Sequence, residues 1–198
     1  MFLNIFDLRK KMLFNEEMIL QKKHVPNILT YTRILFVPII LWMIFVNTSQ
    51  SGMIACGLFI LASITDYYDG YFARKWNIIS SMGKFMDPVA DKVLVSSTLI
   101  MLIPTGRLSP LMVIILVARD SIIDGLRSAA AANNVVISAA KMGKWKTATQ
   151  MVAIPCILFY EPIFNLPIYQ IGYWTLWVSV ALSVISGFKY ISDYFQHI

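Results

Sequence analysis

Charge is what this sequence has least of. Asp, Glu, Lys and Arg make up 14% of its 198 residues, where a soluble domain usually carries about 25%. Alongside 58% apolar residues and a mean hydropathy of +0.66, that scarcity excludes a disordered chain and a nucleic-acid module, and it argues for lipid as the solvent. Cysteine is nearly missing too. Cys56 and Cys156 each lie inside an apolar run, which excludes a disulfide-stapled secreted domain and suits small buried hydrophobes. Histidine is equally rare, and His24 and His197 fall outside every apolar segment. Residues 1–24 do not read as a secretory signal, because they contain Asp7, Glu16 and Glu17 and no short apolar core with a small-residue cleavage site. Internal repeats, low-complexity tracts and long linkers are also lacking.

What is present is a series of apolar segments near 28–46, 52–73, 88–104, 110–131, 146–160 and 168–190. At about 20 residues per span they predict an all-α integral membrane protein with six transmembrane helices, forming one membrane-embedded domain over 25–198. The first segment follows Pro26 and ends at the polar run Asn47-Thr48-Ser49-Gln50. Ser109 and Pro110 predict an N-cap and first turn for the fourth. Pro162 and Pro167 break the chain between the fifth and sixth. Before them, Phe6, Leu13 and Leu20 recur every seven residues, as do Ile5, Met12 and Ile19, with Arg9, Lys10 and Lys11 between. That pattern predicts an amphipathic interfacial helix over 1–24, its basic side toward lipid headgroups.

The net charge of +6 is clustered. Arg9, Lys10, Lys11, Lys22, Lys23, Arg74, Lys75, Lys84, Lys141, Lys144 and Lys146 fall on one side of the predicted spans, while Arg107 stands alone in the short loops of the other. The positive-inside rule therefore places both termini in the cytoplasm.

The informative residues are the ionisable ones inside the spans: Asp66, Asp69, Asp91, Lys92, Arg119, Asp120, Asp124 and Arg127. Each costs about 2.5–3.5 kcal/mol at mid-membrane, so all of them facing lipid would cost on the order of 20 kcal/mol. They must face one another, a polar cavity or a bound ion. Asp66 and Asp69 are three apart, and Asp87 and Asp91 are four apart with Pro88 expected in the first turn of the third span. Each pair shares a helical face. Four carboxylates gathered from two helices cannot all stay ionised without cations, and hard oxygen ligands select Mg²⁺, Mn²⁺ or Ca²⁺. Asp66 lies about 12 Å along the helix axis from Arg74, in the cytoplasmic half of the bilayer. Gly70 and Ala73 let a neighbouring helix or a flat ring approach closely.

Written out, the stretch is Asp66-x₂-Asp69-Gly70-x₂-Ala73-Arg74-x₈-Gly83-x₃-Asp87-x₃-Asp91. It resembles the complete signature of the CDP-alcohol phosphatidyltransferases, integral-membrane enzymes of phospholipid synthesis. Eight identities at fixed spacing arise by chance on the order of 10⁻¹⁰ per start position. The resemblance covers about residues 24–192. Pro26-Asn27-x₂-Thr30-x₂-Arg33, Arg119, Gly125-Leu126-Arg127 and Gly143-Lys144-x-Lys146-Thr147 are most similar to bacterial members whose acceptor is glycerol 3-phosphate. Relatives often carry Glu where Asp120 stands and an uncharged residue where Asp124 stands.

The resemblance implies transfer of a phosphatidyl group from CDP-diacylglycerol to glycerol 3-phosphate, with release of CMP. It implies a pair of Mg²⁺ or Mn²⁺ ions held by Asp66, Asp69, Asp87 and Asp91, with Asp91 also the general base. Asn27, Thr30, Arg33, Gly70, Arg74 and Ser80 are implied on the CDP-diacylglycerol side, although Arg33 by itself also fits a side chain that snorkels to the interface. A dianionic acceptor phosphate needs fixed cations, for which Arg119, Arg127, Lys144 and Lys146 are the candidates. For these residues, pairing with Asp120 and Asp124 or with anionic lipid is the competing account. No serine or histidine nucleophile is evident, which favours direct displacement. The resemblance further implies a homodimer in the bacterial cytoplasmic membrane, multi-pass, with its site toward the cytoplasm. Inositol phosphate, serine or phosphatidylglycerol as acceptor, and divalent-cation transport, are the rival readings.

Overall fold

Every regular element described in the computed structural model is a helix. The structure describes residues 30–75, 81–133, 141–159 and 166–197. They form α1 (Thr30–Val46), α2 (Ser49–Lys75), α3 (Ser81–Met101), α4 (Pro110–Ala132), α5 (Lys141–Leu158) and α6 (Ile168–His197). The predicted interfacial helix over 1–24 lies outside the described residues.

The segment boundaries follow local chemistry. Asn47 takes a left-handed φ of 53°, which asparagine tolerates better than most residues, and so ends α1. Thr48 then caps α2 reciprocally with Ser51. The Thr48 N–H donates to Ser51 Oγ at 3.0 Å, and the Ser51 N–H donates to Thr48 Oγ1 at 3.2 Å. The polar run that closes the first apolar segment is thus a turn and a cap. Ser109 does occupy the N-cap of α4 with Pro110 following, but its side chain makes no capping bond.

The third and fifth helices begin earlier than the apolar segments predict. α3 opens at Ser81, so Pro88 lies in the helix interior; α5 opens at Lys141 and contains Pro155. Apolar periodicity marks only the part of a helix that lipid or core must solvate. The polar opening turns of α3 and α5 escape it. Each internal proline removes one rung of the backbone ladder without ending the helix.

By composition and length one described helix, Ile168–Phe195, qualifies by itself as a membrane span, and Thr30–Val46 is a shorter apolar helix. α4 and α5 lose apolar length to their charges. α4 carries Arg119, Asp120, Asp124 and Arg127, and α5 opens with Lys141, Lys144 and Lys146. The helices are nonetheless apolar on their outer faces as well as inside. Trp42, Phe45, Trp174 and Phe188 are each more than 60% exposed, a pattern that suits lipid rather than water.

The chain divides into two compact units. The first, Met1–Pro38 with Leu61–Val95, contains the start of α1, the end of α2 and most of α3. The second, Ile39–Ile60 with Ser96–Ile198, holds the larger core. Its buried residues pair at i and i+4: Ile40 with Ile44, Ala55 with Phe59, Met112 with Leu116, Ala153 with Ile157, and Leu176 with Val180. α6 packs on both α5 and α4. At Gly172 it meets α5 so closely that an added Cβ would sit 2.7 Å from Cys156 Cβ and 2.9 Å from the Ala153 carbonyl oxygen.

Arg107 lies between α3 and α4, in the short loop where the sequence places it. It is buried because its guanidinium is consumed internally. It donates to Asn47 Oδ1 at 2.7 Å and to the Leu158 carbonyl at 3.4 Å, while its own carbonyl accepts from Tyr169 Oη at 2.9 Å. One arginine thereby ties the α1–α2 turn to the end of α5 and the start of α6.

Candidate active site

In the first unit the chemistry begins at the first turn of α1. Thr30 and Arg33 are three residues apart, so both project from one helical face. Thr30 Oγ1 donates to Asp87 Oδ1 at 2.6 Å, and an Arg33 guanidinium nitrogen lies 2.6 Å from Asp66 Oδ1. One turn of α1 therefore engages a carboxylate of α2 and another of α3. The Arg33 side chain is 0% exposed. A buried guanidinium is tolerated only when paired, so the snorkelling account of Arg33 does not hold.

The two carboxylates are not fully enclosed. Asp66 is 40% exposed and Asp87 is half-buried. Asp66 feels the charges of both Arg33 and Asp87, which places the two acids within electrostatic reach of each other. Each carboxylate offers about four lone-pair sites, more than Thr30 or Arg33 consumes. Asp91 follows one turn beyond Asp87 on α3 and is half-buried. An all-oxygen donor set of this kind fits a hard divalent cation such as Mg²⁺ or Mn²⁺. Among the described residues no three metal-ligating side chains converge. The side chains of Asp69, Gly70 and Arg74 on α2 lie outside that description, as do Asn27 and Ser80.

In the second unit the candidate cations are held by a polar seam through α4, α5 and α6. Asp120 links two of them: its Oδ2 accepts from Lys146 Nζ at 2.5 Å and its Oδ1 from Arg119 at 3.1 Å. Arg119 also donates from Nε to the Ser183 carbonyl at 3.0 Å and from its second terminal nitrogen to Ser186 Oγ at 2.8 Å. Ser179 Oγ donates to the Lys146 carbonyl at 3.0 Å. Lys146 is buried, while Lys144 is exposed on the first turn of α5. The Arg127 guanidinium carbon lies 5.5 Å from the centroid of the Tyr190 ring, within cation–π range. The structure thus joins Arg119 to Lys146 through Asp120 and gives Arg127 an aromatic partner.

Several members of this seam escape inspection of charged residues alone. Ser179, Ser183 and Ser186 are all buried and recur at i, i+4 and i+7 along an otherwise apolar helix. That spacing is a polar stripe, and it is the sequence signal that could have found them. Gln150 lies one turn beyond Lys146 and is also buried.

Comparison with known proteins follows the same lines. The family model for CDP-alcohol phosphatidyltransferase matches residues 23–185. A Rickettsia typhi protein named CDP-diacylglycerol–glycerol-3-phosphate 3-phosphatidyltransferase is 36% identical over 171 residues, covering 85% of this chain and 95% of its own length. A Bacillus subtilis protein of the same name is 36% identical over 182 residues, covering 85% and 94%. An Arabidopsis thaliana protein, the second of that name, is 35% identical over 180 residues, covering 84% and 77%. With the family model spanning most of the chain and relatives matched over nearly their full length, the protein belongs to the CDP-alcohol phosphatidyltransferase family.

Proposed function

We propose that this protein transfers the phosphatidyl group of CDP-diacylglycerol to glycerol 3-phosphate, yielding phosphatidylglycerophosphate and CMP. The observation that carries the reading is the near full-length similarity to relatives named for that reaction. The family is generally divalent-metal dependent, and such ions neutralise a pyrophosphate donor and stabilise the departing CMP. Asp66, Asp69, Asp87 and Asp91 are the residues assigned to hold them. Thr30 and Arg33 orient Asp87 and Asp66 from α1, and with Asn27, Gly70, Arg74 and Ser80 they line the donor side.

Asp91 accepts the proton of the acceptor hydroxyl. The hydroxyl oxygen forms a bond to the phosphatidyl phosphorus, the phosphorus–oxygen bond to CMP breaks, and CMP leaves with the electron pair. Arg119, Arg127, Lys144 and Lys146 are assigned to the acceptor phosphate, where charge-assisted bonds contribute about 1.5–3 kcal/mol each. In this reading the six helices all cross the bacterial cytoplasmic membrane, 1–24 lies along its inner surface, and termini and site face the cytoplasm. The protein acts as a homodimer.

The deciding experiment is an acceptor panel. Purified protein with CDP-diacylglycerol and Mg²⁺ is expected to release CMP with glycerol 3-phosphate far faster than with glycerol, serine, inositol or inositol phosphate. A better rate with any of these would overturn the acceptor while leaving the reaction class intact. Orientation is tested separately. A cysteine introduced at 143 should resist an impermeant thiol reagent in intact cells, and one at 164 should react.

A further inference from the structure

Gly187 lies in the interior of α6, where glycine weakens a helix relative to alanine. Its neighbour explains its presence. An added Cβ at Gly187 would lie 3.3 Å from both Cγ and Nε of Arg119, tighter than atoms normally pack, and in ordinary contact with its Cδ at 3.9 Å. The stem of Arg119 therefore rests directly on the bare backbone of α6. From there its Nε reaches the Ser183 carbonyl at 3.0 Å and a terminal nitrogen reaches Ser186 Oγ at 2.8 Å. Ser186 Oγ donates in turn to the same Ser183 carbonyl at 3.2 Å, so the hydroxyl is locked with its lone pairs toward the arginine. Asp120 holds the remaining side of the guanidinium at 3.1 Å.

We propose that Gly187 and Ser186 are positioning residues that form a seat on α6 for Arg119 and so set the affinity for the acceptor's phosphate. The inference rests on the assignment of Arg119 to that phosphate. A methyl group at 187 pushes the Arg119 stem off the helix by a few tenths of an ångström. The planar guanidinium at its end is held by three partners, so a shifted stem carries it out of line with them. Loss of the Ser186 hydroxyl removes one partner and frees the fork to rotate.

The test compares purified G187A, S186A and R119A with the parent protein, varying glycerol 3-phosphate and CDP-diacylglycerol separately and following thermal unfolding. G187A and S186A are expected to raise the KM for glycerol 3-phosphate roughly three- to tenfold, less than R119A does, with kcat and donor KM within about twofold. The unfolding midpoint of G187A should change little, because the helix preference of alanine offsets the cost of the misaligned Arg119 bonds. In an R119A background neither substitution should raise KM further. If R119A raises the acceptor KM while G187A and S186A do not, the seat is overturned and the role of Arg119 stands. An unchanged acceptor KM in R119A overturns both. A parallel loss of kcat, donor KM and thermal stability in G187A and S186A would mean plain packing, and would overturn the seat as well.

Discussion

Around Asp66 and Asp87 each carboxylate takes one side-chain partner from α1 among the described residues, whereas around Arg119 a single guanidinium takes three partners from two helices. Asp66 and Asp87 stay half-buried. The cations are tied down: Lys146 is buried against Asp120, and Arg119 is spread over Asp120, Ser183 and Ser186. The difference is between carboxylates left partly exposed and a guanidinium held on three sides. Under the proposed reading, the preorganised cations need little rearrangement when an anion arrives, and the half-buried acids complete their geometry with the bound ion.

The sharpest way to break the comparison is to remove a carboxylate. Asp66→Asn or Asp87→Asn should lower turnover roughly a thousandfold or more, because several kcal/mol of charge stabilisation are lost. CMP release by a variant shown to express and fold normally is the measurement. Near-normal turnover in Asp87→Asn would remove that residue from the site.

Next in size is the support from α1. Arg33→Ala leaves Asp66 without its buried partner and should cost about 10–100-fold in kcat/KM, accompanied by weaker activation in an Mg²⁺ titration. Thr30→Val removes a neutral donor and should cost about tenfold or less. If Thr30→Val proves the more damaging, charge is not what α1 contributes.

In the second unit, Asp120→Asn should raise the acceptor KM by about tenfold, since Arg119 and Lys146 lose the anion they share. Donor KM should stay within about twofold. A rise in both constants would show that the seam organises the whole protein rather than one substrate.

Arg107→Ala supplies the smallest functional effect and the cleanest control. This arginine is also internally partnered, by Asn47 and the Leu158 carbonyl, yet its contacts join turns and helix ends. Its loss should cost about 1–3 kcal/mol of stability, read as a lower unfolding midpoint, and leave both KM values unchanged. A changed acceptor KM would end the distinction between structural and functional cations in this unit.

Much of this was legible beforehand. Asp66, Asp69, Asp87 and Asp91 sit on helical faces at spacings that a single turn dictates, so local geometry alone pairs them. The apolar segments located all six described helices, because apolar length and polar interruptions such as Asn47-Thr48 are local properties. The apolar segments begin several residues inside α3 and α5, since polar opening turns carry no apolar signal.

The tertiary structure decided what the charges do to one another. Nothing in the sequence says that Arg33 meets Asp66, that Thr30 meets Asp87, or that Asp120 divides its carboxylate between Arg119 and Lys146. Nor does it say that Arg107 is buried or that Gly187 lies under an arginine stem. Those pairings depend on which helices pack together and in what register. A helix's own period determines which residues share its face, but the neighbour that face meets is chosen by the packing of the whole chain.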